Sequence, residues 1–313
     1  GCVLANRLSA SGRHRVLLLE AGPDSRHPWL RIPLGYGKLF FDRRFNWCYE
    51  TEPQPACHDR RIVAPRGRVT GGSSSINGLI YIRGQREDFD RWRDLGNVGW
   101  GFDEVLPYFI RSEDNERGAD AWHGAGGPLA VSDLRDRHPL AAAFVEAAAQ
   151  CGYPRNADFN GATQEGAGFY QTTMRRGVRA STAAAFLAPV RRRANLAVVS
   201  EALATRIVFE GRRASGVEYE VGGVRHVVRA AREVILAAGA FNSPQLLQLS
   251  GVGPAELLRE HGIGVVAELP GVGAGLTDHF FTRLILRARE PLSLNDAVRQ
   301  WHRGAKAVAD YAL

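Results

Sequence analysis

Ala64-Pro-Arg-Gly-Arg-Val-Thr-Gly-Gly-Ser-Ser-Ser-Ile-Asn-Gly-Leu-Ile-Tyr-Ile-Arg-Gly84 is the stretch on which the reading of this chain turns. Gly71 and Gly72 have no Cβ, so the backbone there can turn sharply and come close to a ligand. Ser73, Ser74 and Ser75 can cap a helix, which the apolar residues after them are expected to form. N–H groups exposed at a helix start attract an anion, and a cofactor diphosphate is the obvious candidate. Alone, the stretch also reads as an ordinary Gly/Ser loop.

Order and spacing add to it. A second stretch, Gly239-Ala-Phe-Asn-Ser-Pro-Gln-Leu-Leu-Gln-Leu-Ser-Gly-Val-Gly253, lies far downstream. Gly67 to Asn77 resembles the first signature of the glucose-methanol-choline (GMC) oxidoreductases, and Gly239 to Gly253 resembles the second. The resemblance implies an α/β fold, α+β overall. Its parts are a Rossmann-like FAD-binding domain and a discontinuous substrate domain on an antiparallel sheet. It divides the chain into 1–117 and 177–279 for the flavin, and 118–176 and 280–313 for the substrate.

The same resemblance assigns residues. A family Gly-x-Gly-x-x-Gly loop precedes Cys-Val-Leu-Ala-Asn-Arg-Leu, so Gly1 stands as its third glycine. The first strand and first two glycines then lie outside the chain, which reads as an internal fragment expected to be unstable and inactive alone. Arg15-Val-Leu-Leu-Leu-Glu20 reads as a buried strand ending in an acid. A carboxylate about 20 residues after the last glycine is where the adenosine ribose is held, which gives Glu20 and Ala21 that role. Trp47 falls near the adenine end, where it either stacks or belongs to the core. Arg68, Val69, Gly71, Gly72 and Ser73 are implied along the diphosphate and ribityl chain. Asn77, Gly78 and Leu79 fall beside the isoalloxazine, the adenine-contacting backbone falls near Ala204, and Ala238 and Gly239 close the dinucleotide site from the far side. Some family members attach FAD through a His just before the Asn. Here that position is Ile76, so FAD is expected to be non-covalent.

Composition narrows the classes. A chain of 313 residues, 45% apolar and 23% charged, suits two globular domains. No apolar run approaches the ~20 residues that cross a bilayer. The first residues lack a signal peptide's basic region and cleavage site. The net charge of +7 is carried almost wholly by Arg, interspersed with acids. Arg191-Arg192-Arg193 is the one tight basic cluster, and so short a run usually covers a solvated face. No nucleic-acid partner is expected; anionic lipid and a peripheral place at the inner membrane stay open beside a cytoplasmic one. Cys2, Cys48, Cys57 and Cys151 show neither Cys-x-x-Cys nor zinc spacing, so reduced thiols and no metal are expected.

Further along, Gly1–Ser9 reads as a helix with Val3, Leu4 and Leu8 on one face. Arg86–Glu116 reads as helices with Trp92, Trp100, Phe102 and Tyr108 in a core. A strand is expected at Leu129–Ser132, a helix at Pro139–Gln150 and an antiparallel meander within Asn195–Ala230. Asn160, Gly161 and the Gln164–Gly166 turn border a substrate cavity or simply form turns. Arg232–Gly239 reads as a buried strand. Asn242–Gln245 is expected to start a helix, with Ser243 as N-cap, ending at Gly251. Pro270–His279 departs from the family pattern at Gly275 and Thr277, which weakens local hydrogen bonding; His279 is expected to be structural.

The implied reaction is oxidation of an alcohol, choline or another primary alcohol, to the aldehyde with FAD as hydride acceptor. A non-redox lyase of the same fold and an inactive remnant are the alternatives. The acceptor (quinone, another carrier or O2) stays open. The family's catalytic His–His or His–Asn pair falls beyond Leu313, so no catalytic residue is assigned here.

Overall fold

The computed structural model describes residues 1–279, 282 and 285–287. Among these the chain packs as two compact units, 1–78 with 179–278, and 79–178 with His279. The stretch 79–117, expected from the sequence to belong with the flavin part, packs in the second unit.

The first unit opens with the helix Cys2–Leu8, which packs on a π-helical turn, Ala183–Leu187. Its buried side is Cys2, Ala5 and Ser9, whereas Val3, Leu4 and Leu8 are exposed. Small residues let the helix approach the turn closely, which is why the bulkier face turns outward. The strand Val16–Leu19 pairs in parallel with Leu196–Val199, Val16 opposite Leu196. Arg193 donates to the Asn6 carbonyl and to Ser9 Oγ, and Arg191 pairs with Asp24. Two members of the basic cluster thus tie the chain to itself. Leu30, Leu39, Phe45, Val69 and Ile76 make a core cluster; burying each such side chain is worth roughly 1.5–3 kcal/mol.

Ala202–Glu210, Arg213–Val221 and Val224–Arg229 form the antiparallel meander. The helix Gly239–Leu249 packs on its first strand, where Ser250 Oγ accepts the Ile207 N–H at 2.8 Å. This helix starts at Gly239 with Ala238 as N-cap, so Pro244 lies inside it. Ser243 still serves the helix start, because its Oγ accepts the Ala238 N–H at 3.1 Å. Gly251, at φ +86°, follows the helix end. The expected strand over Arg232–Gly239 is absent: residues 231–238 form no strand, and Ile235 is exposed. An apolar run becomes a buried parallel strand only with a ladder partner, and no described strand pairs with it.

In the second unit Ile80–Tyr81 pairs antiparallel with Gln171–Thr172, and Glu113–Asn115 pairs in parallel with Leu129–Val131. The helices are Arg86–Asp94, Phe102–Ser112 and Pro139–Gln150. Gln85 and Asp88 close a capping box on the first of them. Phe89 and Phe102 are buried, while Trp92, Trp100 and Tyr108 are exposed, so only part of the expected aromatic core is interior.

The interior of this unit holds a polar network. Arg83 Nη2 donates to Glu113 Oε2 at 2.7 Å, with both side chains all but sealed from solvent. His123 bridges Glu113 and Asp158, each at 2.9 Å. Asn115 Nδ2 donates to Glu113 and Gln171. Burial alone would raise the Glu113 carboxyl, but its bonds from His123 and Asn115 and the charge of Arg83 outweigh that and hold it below its ordinary value. His123 is raised, first by its bond to Glu113 and, against the cost of burial, by Asp158. Asn160 accepts the Arg83 N–H and donates to the Tyr81 carbonyl, while Gln164 donates to the Arg83 and Phe159 carbonyls. Both side chains brace these loops. No helix among the described residues is long and apolar enough to cross a membrane.

Candidate cofactor site

Within the first unit, three segments that lie apart in sequence meet at the Gly/Ser turn. Cys2, at the helix start, is hydrogen-bonded to Thr182 and lies beside the Gly71 backbone and the Glu20 carboxyl; burial raises its thiol pKa. Gly1 caps that helix, and a Cβ there would stand 3.2 Å from Leu18 and 4.0 Å from the Ala237 Cβ. Glu20 ends the strand and accepts the Gly22 N–H at 2.9 Å. Burial pushes its pKa up to about 7, against the pull of the Gly22 amide and Arg68. Gly22 passes so close to the Arg68 carbonyl that a Cβ would stand 1.9 Å from its oxygen. Only glycine lets these two segments cross.

The turn is not the helix start expected from the sequence. Gly72–Ser75 is a single 3-10 turn without a side-chain cap, and Ile80–Tyr81 after it is extended. The three serines explain this, because their hydroxyls are engaged in the turn's own framework. Ser73 Oγ accepts the Gly67 N–H, Ser74 Oγ bonds the Gly71 carbonyl and Thr182, and Ser75 Oγ donates to the Thr70 carbonyl. Apolar β-branched residues beyond Gly78 then favour strand over helix. Gly71 has φ +96°, and a Cβ would collide with Ser75 Oγ at 2.5 Å and the Ala183 Cβ at 2.9 Å. The next residue differs: a Cβ on Gly72 would meet nothing within 4 Å, and the same is true of Gly78 and Gly239.

An aromatic arm flanks the turn. Trp47 stacks on Tyr49 with ring centroids 5.7 Å apart, and Arg68 lies over Trp47. Tyr49 continues to Phe241 and accepts a hydrogen bond from Asn242 Nδ2 at 2.7 Å. The start of the helix Gly239–Leu249 is thereby held to the arm. Beside Glu20 lies a cavity of about 580 Å³, bordered by Ala21, Pro23, Asp24, Arg44, Arg68 and Glu201 among others.

A sequence model of the family described as "GMC oxidoreductase" matches residues 46–281. The chain belongs to the GMC oxidoreductases. It is 48% identical over 304 residues to a mitochondrial choline dehydrogenase of Mus musculus, across 95% of this chain and 51% of that protein. It is 45% identical over 314 residues to an alcohol dehydrogenase [acceptor] of Pseudomonas putida, across 99% of this chain and 57% of that one. Among solved structures, a pyridoxine 4-oxidase from Mesorbium loti superposes with a TM-score of 0.81 at 37% identity, covering 86% of this chain and 53% of that chain. The chain spans about half the length of the curated relatives it matches.

Of the residues assigned from the GMC signatures, the first unit holds Gly1, Glu20, Ala21, Trp47, Arg68, Gly71, Gly72, Ser73, Asn77 and Gly78 on or beside these segments. Val69 is fully buried in the core cluster, so its side chain faces no open space. Leu79, at φ +67°, belongs to the second unit, where its carbonyl accepts the Thr173 N–H. Ala204 pairs with Tyr219 at a bulge in the meander. Ala238 and Gly239 are exposed at a helix start rather than at a strand end. Tyr49 and Asn242 receive no site role from the sequence, and neither does Arg179, although it is the Arg of Gly177-Val-Arg-Ala-Ser-Thr182, a stretch that resembles the GMC Gly-x-Arg-x-Ser segment. Tyr49 stacks on Trp47 across Cys48, whose φ of 53° breaks the extended backbone between them, so strand alternation would not have found the pair. Nothing in the sequence marks Arg179 as buried.

Proposed function

We propose that this chain holds FAD without a covalent link and serves the oxidation of an alcohol, choline or another primary alcohol, to the aldehyde. The observation that carries the reading is the 48% identity to a choline dehydrogenase across 95% of the chain. The residues present fit the cofactor. Gly72, Gly78 and Gly239 each leave open space where a side chain would stand, and the Arg68 Nε is buried without a partner. Glu20 is a half-buried carboxyl without a salt-bridge partner among the described residues, suited to accept ribose hydroxyls.

FAD, when bound, supplies the hydride acceptor, while the protein supplies position and electrostatics. The Gly/Ser turn gives a rigid floor with all three hydroxyls engaged, so binding does not have to order it. Trp47, held against Tyr49 and Arg68, brings an apolar ring to the adenosine end. Ile76 has no nucleophilic nitrogen and is buried in the core cluster. This chain's residues bind and orient; the proton acceptor for the alcohol is not assigned among them.

Two measurements test the reading. Acid precipitation of the purified protein is expected to release yellow flavin into the supernatant, and colour kept in the pellet would refute the non-covalent link. Choline under anaerobic conditions is expected to bleach the flavin band. If no primary alcohol does so, the proposed reaction fails. Reoxidation of the bleached protein by O2, against reoxidation by a soluble quinone, distinguishes the electron acceptors.

A further inference from the structure

The Gly/Ser turn rests on a buried cation with no acid beside it. Arg179 is 3% exposed. Its Nη1 donates to Asn77 Oδ1 at 2.7 Å and to the Ser74 carbonyl at 3.2 Å. Its Nε and Nη2 are buried without a hydrogen-bond partner, and no carboxylate pairs with it among the described residues. Burial alone pushes its pKa down to about 10, so it still carries its charge at neutral pH.

A purely structural clasp would not need that charge. A neutral amide can donate to Oδ1 and to a carbonyl, whereas an uncompensated guanidinium in the interior carries a desolvation penalty. The charge itself therefore needs a reason. Where its two bonds go supplies one. The bond to Oδ1 fixes the orientation of the Asn77 amide, and the bond to Ser74 polarises a peptide of the turn.

We propose that Arg179 is a positioning residue: acting through Asn77 and the Ser74 peptide, its buried charge makes the turn electropositive and stabilises reduced flavin. The proposal rests on the reading above that the turn lies along FAD. A hydride brings two electrons and one proton, so the neutral oxidised ring becomes an anion, and a fixed positive potential favours that product. Water cannot screen the charge at this depth.

The test is the midpoint potential of the flavin-loaded protein and of its R179Q and R179K variants, followed across pH. R179Q is expected to weaken the preference for reduced flavin at least tenfold, equivalent to about 30 mV for a two-electron couple. R179K is expected to match the unsubstituted protein at neutral pH. As pH rises, the buried lysine loses its proton at a depressed pKa, and the potential then falls more steeply than in the unsubstituted protein. That break carries the test even if R179Q does not fold. Equal potentials in all three proteins, or an R179K trace parallel to the unsubstituted one throughout, would overturn the role of Arg179. If the unsubstituted protein binds no flavin, the FAD reading falls, and the inference falls with it.

Discussion

Two arginines in this molecule are buried to nearly the same depth, Arg83 at 6% exposed and Arg179 at 3%. Each has an orphaned Nε, yet their settings are opposite. Arg83 meets Glu113 at 2.7 Å and donates to the Trp122 carbonyl; Arg179 has two neutral oxygens and no acid. The contrast extends to the units around them. In the second unit the buried charges are paired, so Glu113 is lowered and His123 raised, each shifted toward its charged form. In the first unit Glu20 is raised and Arg179 lowered, each shifted toward its neutral form. Paired charges hold a structure together, whereas an unpaired one is a strain that folding alone does not reward. The unpaired buried charges thus fall in the first unit and the paired ones in the second.

The sharpest way to break this comparison is to unpair Arg83. Glu113→Gln leaves a sealed guanidinium without its carboxylate and is expected to cost about 3–5 kcal/mol, read from urea denaturation. R179Q removes a charge that had no partner and should cost clearly less. If the two losses came out equal, or in reverse order, the distinction between a paired and an unpaired arginine would have no energetic content.

Glu20 tests the same contrast from the acid side. Its folded pKa, about 7, lies above its ordinary value of 4.5, so between those two values the folded state binds the extra proton. Stability is therefore fully present below about pH 4.5 and falls as pH rises toward 7. The loss is at most ~3 kcal/mol. Glu20→Gln should remove this slope, leaving the flavin-free variant more stable than the unsubstituted protein at pH 8 while its hold on FAD weakens. Opposite movement of stability and cofactor affinity is the signature of a functional acid. A variant less stable at every pH would show that Glu20 serves the fold.

What was legible in the sequence followed from local rules. The two signatures and the strand-ending Glu20 pointed to the family. Gly turns at 211 and 222–223 marked the meander, and the alanine-rich run marked the helix from Pro139. The misreadings share a cause, which is that each depended on a partner distant in sequence. Arg232–Gly239 has the composition of a strand but pairs with no described strand. The serines looked like helix caps because the bonds from Ser74 to Thr182 cross 108 positions. Val3, Leu4 and Leu8 were read as one face of the first helix, but which face is buried was set by the close approach to Ala183–Leu187, which favoured Cys2 and Ala5. Arginine gives no hint of burial by composition, so neither Arg83 nor Arg179 could be read as interior. That loss matters most, since the comparison of the two units turns on them.

The mildest probe is the histidine of the paired unit. His123 shares hydrogen bonds with Glu113 and Asp158 through its two ring nitrogens, and Asp120 accepts its backbone N–H. Both ring nitrogens can donate to carboxylates only when the ring is protonated, which agrees with the raised pKa. A raised folded pKa means that the stabilisation is fully present below about pH 6.5. It is lost as pH rises through the folded value. Glu113, lowered, adds the opposite edge, a loss as pH falls through its own folded pKa. The second unit should therefore have a plateau of stability with an acid edge from Glu113 and an alkaline edge from His123. His123→Gln keeps one donor and removes the charge, so its cost is of the order of 1.5 kcal/mol near pH 6. That cost should shrink as the unsubstituted protein passes its alkaline edge. Denaturation at a series of pH values between 5 and 9 reads this directly. A difference that stays constant across the series would mean that the imidazole has the same pKa folded and unfolded, and that Glu113 and Asp158 do nothing to hold its proton.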